Sequence, residues 1–409
     1  MSYFRYFGKK FFVESSSIFN IAKKNKTPFY LYSERQLKEN YKNFLETFKS
    51  VKPLVCFATK ANTNLSILKI LKKLGCGADV VSGGELLKAI KAGIKPNKIV
   101  FSGVGKSKEE LKIAINKKIL LINIESESEA SLINKIGKES NKKISVGFRL
   151  NPDVDARTHK KISTGRSENK FGVSIKSFSS FYKNIKKFKY LKIEAISVHI
   201  GSQILSDKPY KKTLDIITKV VRNLKIKLKY VDLGGGFGIS YKKGEKIINL
   251  KSYAKLVAIF KKKLGCNIIF EPGRSLVGNT GILVSKVQYI KKTENKDFVI
   301  LDAGMNDFMR TALYDARHDI VPINKSGSKR SRIIEFVGPV CESTCKFTKY
   351  TKYHKISEND YVGITNVGAY GASLSSNYNT RPLIAEILVS KNKFKIIKKK
   401  QDLYKLINS

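Results

Sequence analysis

The 409 residues suffice for two or three domains with a sizeable core. A composition of 42% hydrophobic and 27% charged residues describes a globular chain and excludes a disordered one. No apolar run approaches the ~20 residues that span a bilayer, and Arg5, Lys9, Lys10 and Glu14 interrupt the apolar N-terminus before a signal-peptide core can form. The net charge of +46 raises the question of nucleic acid, yet only 12 of the 79 basic residues are Arg, the side chain that reads bases and clamps phosphates. The lysines are spread along the chain, as at Lys186-Lys187 and Lys261 to Lys263. They read as occupants of solvated helix faces, a source of weak polyanion binding at low salt and not a specific nucleic-acid surface. Cysteines 56, 76, 266, 341 and 345 show neither zinc spacing nor a dense disulfide framework, so no metal site and a reducing cytoplasm are expected.

In chain order, Ser33 and Gln36 have the spacing of a capping box ahead of Leu37, Tyr41, Phe44 and Phe48, which predicts a first helix. Leu54 to Ala58 then reads as a short strand, followed by a helical face of Leu65, Leu68, Leu71 and Leu74 that stops at Gly75. Further strands are predicted at 79–81, 98–101, 119–123, 144–150, 193–199, 228–233 and 267–270. Helices are predicted between them near 84–92, 108–117, 127–139, 176–188, 208–225 and 250–264. Eight strands alternating with helices have the arithmetic of a (β/α)8 barrel, although a doubly wound open sheet shares the local pattern. After residue 281 the pattern turns β-rich, at Ile282 to Ile290, Asp297 to Leu301, Ile333 to Val337, Tyr361 to Ile364 and Leu383 to Val389. The expected organisation is a barrel over 31–280 and a β domain over 281–409, with residues 1–30 packing against the β domain.

Unusual residues fall just beyond the strands, where a barrel keeps its chemistry. Lys60 follows the first strand, His199 ends the sixth, Gly234, Gly235, Gly236 and Gly238 follow the seventh, and Glu271-Pro272-Gly273-Arg274 follows the eighth. Each alone has a duller reading: a solvated charge, a structural histidine, a tight turn. Two nucleotide fingerprints fail. Ile239 stands at the third glycine of a G-x-G-x-x-G begun by Gly234 and Gly236, and Val100 replaces the first glycine of a Walker A ending at Gly105-Lys106-Ser107. Together, a lysine, a glycine-rich anion loop, a histidine and an acid on one rim suggest pyridoxal 5′-phosphate. That cofactor needs an amine for its aldehyde, a cradle for its phosphate and an acid beside its pyridine nitrogen, a role that suits Glu271.

Longer segments sharpen this. They include Gly75-Cys76-Gly77-Ala78-Asp79, Ser82-Gly83-Gly84-Glu85, Phe101-Ser102-Gly103-Val104-Gly105-Lys106, Asn151-Pro152-Asp153-Val154-Asp155, His159 and Glu168-Asn169-Lys170-Phe171-Gly172. Later come Asp302-Ala303-Gly304-Met305-Asn306-Asp307, Gly338-Pro339-Val340-Cys341-Glu342-Ser343 and Gly368-Ala369-Tyr370-Gly371. In these the chain resembles the diaminopimelate decarboxylases, from the segment around Lys60 to that around Arg381. The resemblance implies fold type III, a TIM-like barrel followed by a β domain as in alanine racemase and ornithine decarboxylase. It also implies decarboxylation of meso-diaminopimelate to L-lysine, the last step of lysine biosynthesis by that route, in a homodimer with shared active sites.

By the same resemblance, Lys60 carries the cofactor, His199 packs on its ring and Glu271 partners its nitrogen. Gly234, Gly235, Gly236, Pro272, Gly273, Arg274 and Tyr370 complete its binding set. Arg274, Arg310, Tyr314, Glu342 and Tyr370 bind the substrate, and Cys341, reaching in from the neighbouring subunit with Glu342, is the proton donor. Arginines suit the carboxylates of such a substrate and Glu342 an ammonium. The chain departs from the family at Thr311, where proline is common after the arginine, and at Cys345, where an acid is common.

Overall fold

The structure is a computed structural model and describes residues 3–156, 160–162, 164–166, 168–242 and 244–408, so His159 lies outside the described residues. The chain divides into two compact units, one of 41–239 and 246–275, the other of 1–40, 240–245 and 276–409.

The first unit is a closed parallel barrel. Its strands are β1 (Leu54–Ala58), β2 (Gly77–Val80), β3 (Ile99–Phe101), β4 (Leu121–Ile124), β5 (Ile144–Asn151), β6 (Leu191–Ser197), β7 (Tyr230–Asp232) and β8 (Asn267–Phe270). Each pairs with the next, and β8 returns to β1 through Ile269 opposite Leu54, which decides for the barrel over the open sheet. The intervening helices lie close to their expected limits. Leu250–Leu264 keeps both predicted ends, capped by the Asn249 side chain at its start and by Gly265, at φ +64°, at its close.

Register tells which side chains face inward. Because neighbours in a parallel ladder point the same way, Leu54, Cys56, Val100, Leu121, Ala195, Tyr230 and Ile269 share one face with Asp79, Asn123, Arg149 and Asp232. That face is the interior, since Asn123 Nδ2 on β4 donates to Asp232 Oδ2 on the non-adjacent β7 at 3.3 Å. The lower interior is apolar, with Cys56, Val100, Leu121, Ala195 and Ile269 forming one buried cluster. Toward the C-terminal ends it becomes polar. Gly147 on β5 makes room for this layer, as a Cβ there would lie 2.3 Å from Asn123 Oδ1.

The Gly103-Val104-Gly105-Lys106 segment is a clip joining two loops of this rim. Lys106 Nζ, almost fully buried, donates to the carbonyls of Gly103 (2.6 Å) and Asn123 (2.7 Å) and to Glu129 Oε1 (2.5 Å). Replacing Lys106 by methionine keeps the length but strands a buried carboxylate and two carbonyls. A loss of about 3–5 kcal/mol in urea unfolding is expected, and a change below ~1 kcal/mol would show that the clip contributes little to the barrel.

In the second unit the strand Phe29–Ser33 pairs antiparallel with Gly281–Lys292 and parallel with Ala385–Ser390. The sheet continues outward through 297–301, 334–337 and 346–350 on one side and 393–398 on the other. Phe11, Val13, Ile18, Phe29, Leu31, Ile282, Val284, Ile387 and Val389 lie in its core. The helix after Ser33 forms, Glu34–Thr47, but the predicted capping box is only half made. Ser33 Oγ accepts the Gln36 N–H at 3.0 Å, whereas Gln36 Oε1 turns away to accept the N–H of Tyr3. The complete box is at Ser107 and Glu110.

Candidate active site

Lys60 follows β1 in a single 3₁₀ turn, Thr59–Ala61, which lifts its side chain onto the C-terminal rim. Its Nζ is 3.8 Å from Asp79 Oδ2, and the Asp79 carboxylate is almost wholly buried. Burial, then the nearby Glu271, pushes the Asp79 carboxyl well above the ordinary range, against the pull of Lys60.

Glu271 follows β8, and its N–H donates to the Gly234 carbonyl at 2.7 Å. Its side chain shares a hydrogen bond with Asp232, and two carboxyls can do so only if one keeps a proton. Asp232 also accepts the Gly234 N–H at 3.0 Å and the Asn123 amide, which favours its ionised form. The proton therefore belongs on Glu271, whose pKa burial and then the Asp232 charge hold well above the usual carboxylate range. Glu271 Oε1 is buried and has no hydrogen-bond partner among the described residues. A buried polar atom without a partner is costly, and it is the atom an incoming ring N–H would satisfy.

His199 lies two residues past β6. Its Nδ1 accepts the Gly235 N–H at 3.2 Å, so that nitrogen bears the lone pair. Burial, followed by the charges of Lys60 and Arg149, holds its pKa well below the usual histidine value, leaving a neutral ring with Nε2–H. The glycine loop packs tightly beside it. A Cβ on Gly235 would meet the Glu271 carbonyl at 2.1 Å, and Gly234, at φ +64°, would meet the Val198 carbonyl at 2.4 Å. The N–H groups of Gly234 and Gly235 are committed to Asp232 and His199, so the expectation that these two present bare N–H groups to an anion needs correction. Arg274, buried, donates from Nη2 to Ser202 Oγ at 3.0 Å, and the Pro272 carbonyl accepts the Ala58 N–H at 3.2 Å, next to Gly273.

The second unit holds the other candidates. Arg310 opens a short helix, Arg310–Tyr314, and is buried, with its guanidinium 5.3 Å from the Tyr241 ring centroid and 5.9 Å from that of Tyr314. Thr311 beside it is buried, and its hydroxyl has no partner among the described residues. Cys341 and Glu342 lie exposed in a turn closed by Gly338 N–H to the Cys345 carbonyl at 2.8 Å. Glu342 accepts the hydroxyls of Tyr378 (2.5 Å) and Thr344 (3.0 Å), which lower its pKa. Cys345, in contrast, is buried and its Sγ accepts the Met305 N–H at 3.3 Å, which is how the turn manages without an acid there. Tyr370 has φ +56°, a conformation rarely held by a bulky residue and one that clusters at functional sites.

Sequence reasoning passed over Asp79, Asn123, Arg149 and Asp232 inside the barrel and, in the second unit taken by itself, His318 beside Arg310. The signal for the first four was a polar residue inside an apolar strand, whose meaning appears only once register shows which face it is on. Among the described residues no group of His, Cys, Asp and Glu is placed to hold a metal ion, and no helix is long and apolar enough to cross a membrane.

Lysine, orphaned acid, neutral histidine and glycine-packed rim fit pyridoxal phosphate, and comparison with known proteins agrees. Residues 34–278 match the family model of the pyridoxal-dependent decarboxylases, pyridoxal binding domain. The chain is 44% identical to diaminopimelate decarboxylase of Helicobacter pylori strain J99, across 93% of this chain and 95% of that one. The crystal structure of the Helicobacter pylori enzyme complexed with L-lysine matches with a TM-score of 0.90 at 43% identity, covering 95% of this chain and 98% of the other. That of the M. jannaschii enzyme, also with L-lysine, matches with a TM-score of 0.93 at 38% identity, covering 99% and 96%. With both units matched over nearly their whole length, the chain belongs to the diaminopimelate decarboxylases, within the pyridoxal-dependent decarboxylase family.

Proposed function

We propose that this chain removes one carboxylate of meso-2,6-diaminopimelate as CO2, at the D-configured centre, and yields L-lysine, the closing step of lysine synthesis in the cytoplasm. Family membership makes it a pyridoxal-phosphate-dependent carboxy-lyase. The observation that carries the reading is Lys60 at the rim facing the buried Asp79, and the buried Glu271 beside Asp232, with Glu271 Oε1 lacking a partner among the described residues. When bound, pyridoxal phosphate supplies the electron sink for the pair left on the α-carbon as CO2 departs.

Every other role belongs to the protein. Lys60 supplies the amine that carries the cofactor, steadied by Asp79. Glu271 Oε1 receives the ring N–H while Asp232 shares its proton. His199, neutral and held by Gly235, offers a flat face to the ring, and the loops of Gly234 to Gly236 and of Pro272 to Arg274 take the phosphate end with Tyr370. Arg274, Arg310 and Tyr314 receive the distal carboxylate, and Glu342 the distal ammonium. Cys341 delivers a proton to the α-carbon. The barrel unit of 41–239 and 246–275 is the cofactor domain, and the unit of 1–40, 240–245 and 276–409 supplies substrate contacts. Of the five cysteines only Cys341 is exposed, which supports its presentation, with Glu342, to the site of a second subunit in a homodimer.

Purified protein given pyridoxal phosphate and meso-diaminopimelate is expected to release lysine and CO2 in equal amounts, and failure on this isomer overturns the reading. Inactive Lys60→Ala and Cys341→Ala subunits, mixed and reassembled, should recover roughly a quarter of wild-type activity, because half the dimers are mixed and each mixed dimer has one intact site. No recovery means that each site is built from one chain.

A further inference from the structure

We infer that His318 is a positioning residue for substrate recognition: a neutral imidazole that fixes the plane of the Arg310 guanidinium without cancelling its charge. The inference rests on the reading that Arg310 receives the distal carboxylate. His318 is 1% exposed, and both of its ring nitrogens are engaged. Nδ1 lies 2.8 Å from the Thr365 carbonyl oxygen, which can only accept, so Nδ1 carries a hydrogen. Nε2 lies 3.2 Å from Arg310 Nε, which can only donate, so Nε2 carries the lone pair. The two partners together define one tautomer of an uncharged ring.

The ring is held on all sides. The edges of Phe308 and Tyr241 meet it at centroid distances of 4.7 and 4.8 Å. Its own carbonyl accepts the Thr348 hydroxyl at 2.6 Å, and Thr365 is bound back to the Asp319 carbonyl through both N–H and hydroxyl. These contacts belong to the sheet in which Ile320–Pro322 pairs with Tyr361–Ile364, so Arg310 is aligned by a strand rather than by its own short helix.

The choice of histidine follows from what Arg310 must do. A guanidinium receives a carboxylate bidentately through a fixed fork, so its plane has to be set before the ligand arrives. An aspartate or glutamate at 318 would set the plane but would form an ion pair and compete with the substrate. Imidazole accepts the Nε–H less strongly than a carboxylate would, but in a fixed direction, and leaves the positive charge whole.

The test uses two ligands on the holoenzyme, each lacking one carboxylate of diaminopimelate. L-Lysine keeps the distal carboxylate, and D-lysine keeps only the reacting one. By calorimetry, His318→Leu should weaken L-lysine roughly 10- to 100-fold, the range for losing a hydrogen bond to a charged group, while D-lysine changes less than ~2-fold. KM for meso-diaminopimelate should rise by a similar factor, with kcat nearly kept. His318→Gln, which offers an uncharged acceptor in place of Nε2, should restore most of the affinity. Nitrogen-15 spectra of the wild type should show His318 neutral with hydrogen on Nδ1, a readout that needs no variant to fold. A proton on Nε2, equal weakening of both lysines, or L-lysine affinity unchanged in His318→Leu while Arg310→Ala loses it would each overturn the inference. L-Lysine affinity unchanged in Arg310→Ala would instead overturn the assignment of Arg310 itself.

Discussion

Lys60→Ala is expected to lower turnover of meso-diaminopimelate by ~10³-fold or more and to remove the visible absorbance that bound pyridoxal phosphate gives the wild type. The chain has 67 lysines, and no chemistry separates them in isolation. Environment does. Lys60 keeps 40% of its side chain open at the rim, while its ammonium faces Asp79, which is 1% exposed, above an interior layer that also holds Asp232 and Glu271. An amine so placed can lose its proton to form a covalent bond, and the acids beneath restore the charge when it is released. Lys60→Arg should fail as completely, because guanidinium keeps its proton. The alanine variant should still fold: burial already favours the protonated form of Asp79, so losing the countercharge leaves a neutral acid. A variant that retains both the absorbance and more than ~10% of the turnover would remove Lys60 from the chemistry.

Which parts of this architecture could be read from the chain follows from how local their causes are. The helix Leu250–Leu264 is encoded in its own fifteen residues, an apolar stripe with Asn249 before it and Gly265 after it, and both ends were legible. Rim positions were legible as well, because Lys60, His199 and Glu271 each follow a short apolar run. The acids beneath them were not. Asp79 and Asp232 sit in strands that otherwise read as buried, and facing inward or outward depends on a register closed through every other strand. The Ser33 capping box was half right because its reciprocal bond was diverted by Tyr3, thirty residues upstream in sequence. His318 was invisible for the same reason. Its partners, Arg310 and the Thr365 carbonyl, are 8 and 47 residues away, and only strand pairing unites them.

Glu271→Gln is expected to lower kcat by about 10²–10³-fold with little change in KM, the usual cost of losing one buried electrostatic contact to a developing charge. The amide keeps the shape and still donates to Asp232, but it cannot hold or release a proton at the position of Oε1. The same substitution separates catalysis from folding. In the protein without cofactor, the Glu271 pKa stands well above its ordinary value, chiefly through burial. An acid raised in the folded state contributes stability that is fully present below its unfolded pKa of ~4.3 and is lost as pH rises toward the folded value. Apoprotein stability in urea should therefore decline from about pH 5 toward pH 8, with a flatter decline in Glu271→Gln. The variant would then be the more stable apoprotein at neutral pH and the poorer enzyme, because an uncompensated acid kept in the barrel is the feature that fits it to the cofactor. Identical pH slopes in the two proteins would mean that the retained proton resides on Asp232 or Asp79, and the acid partner of the cofactor nitrogen would have to be reassigned.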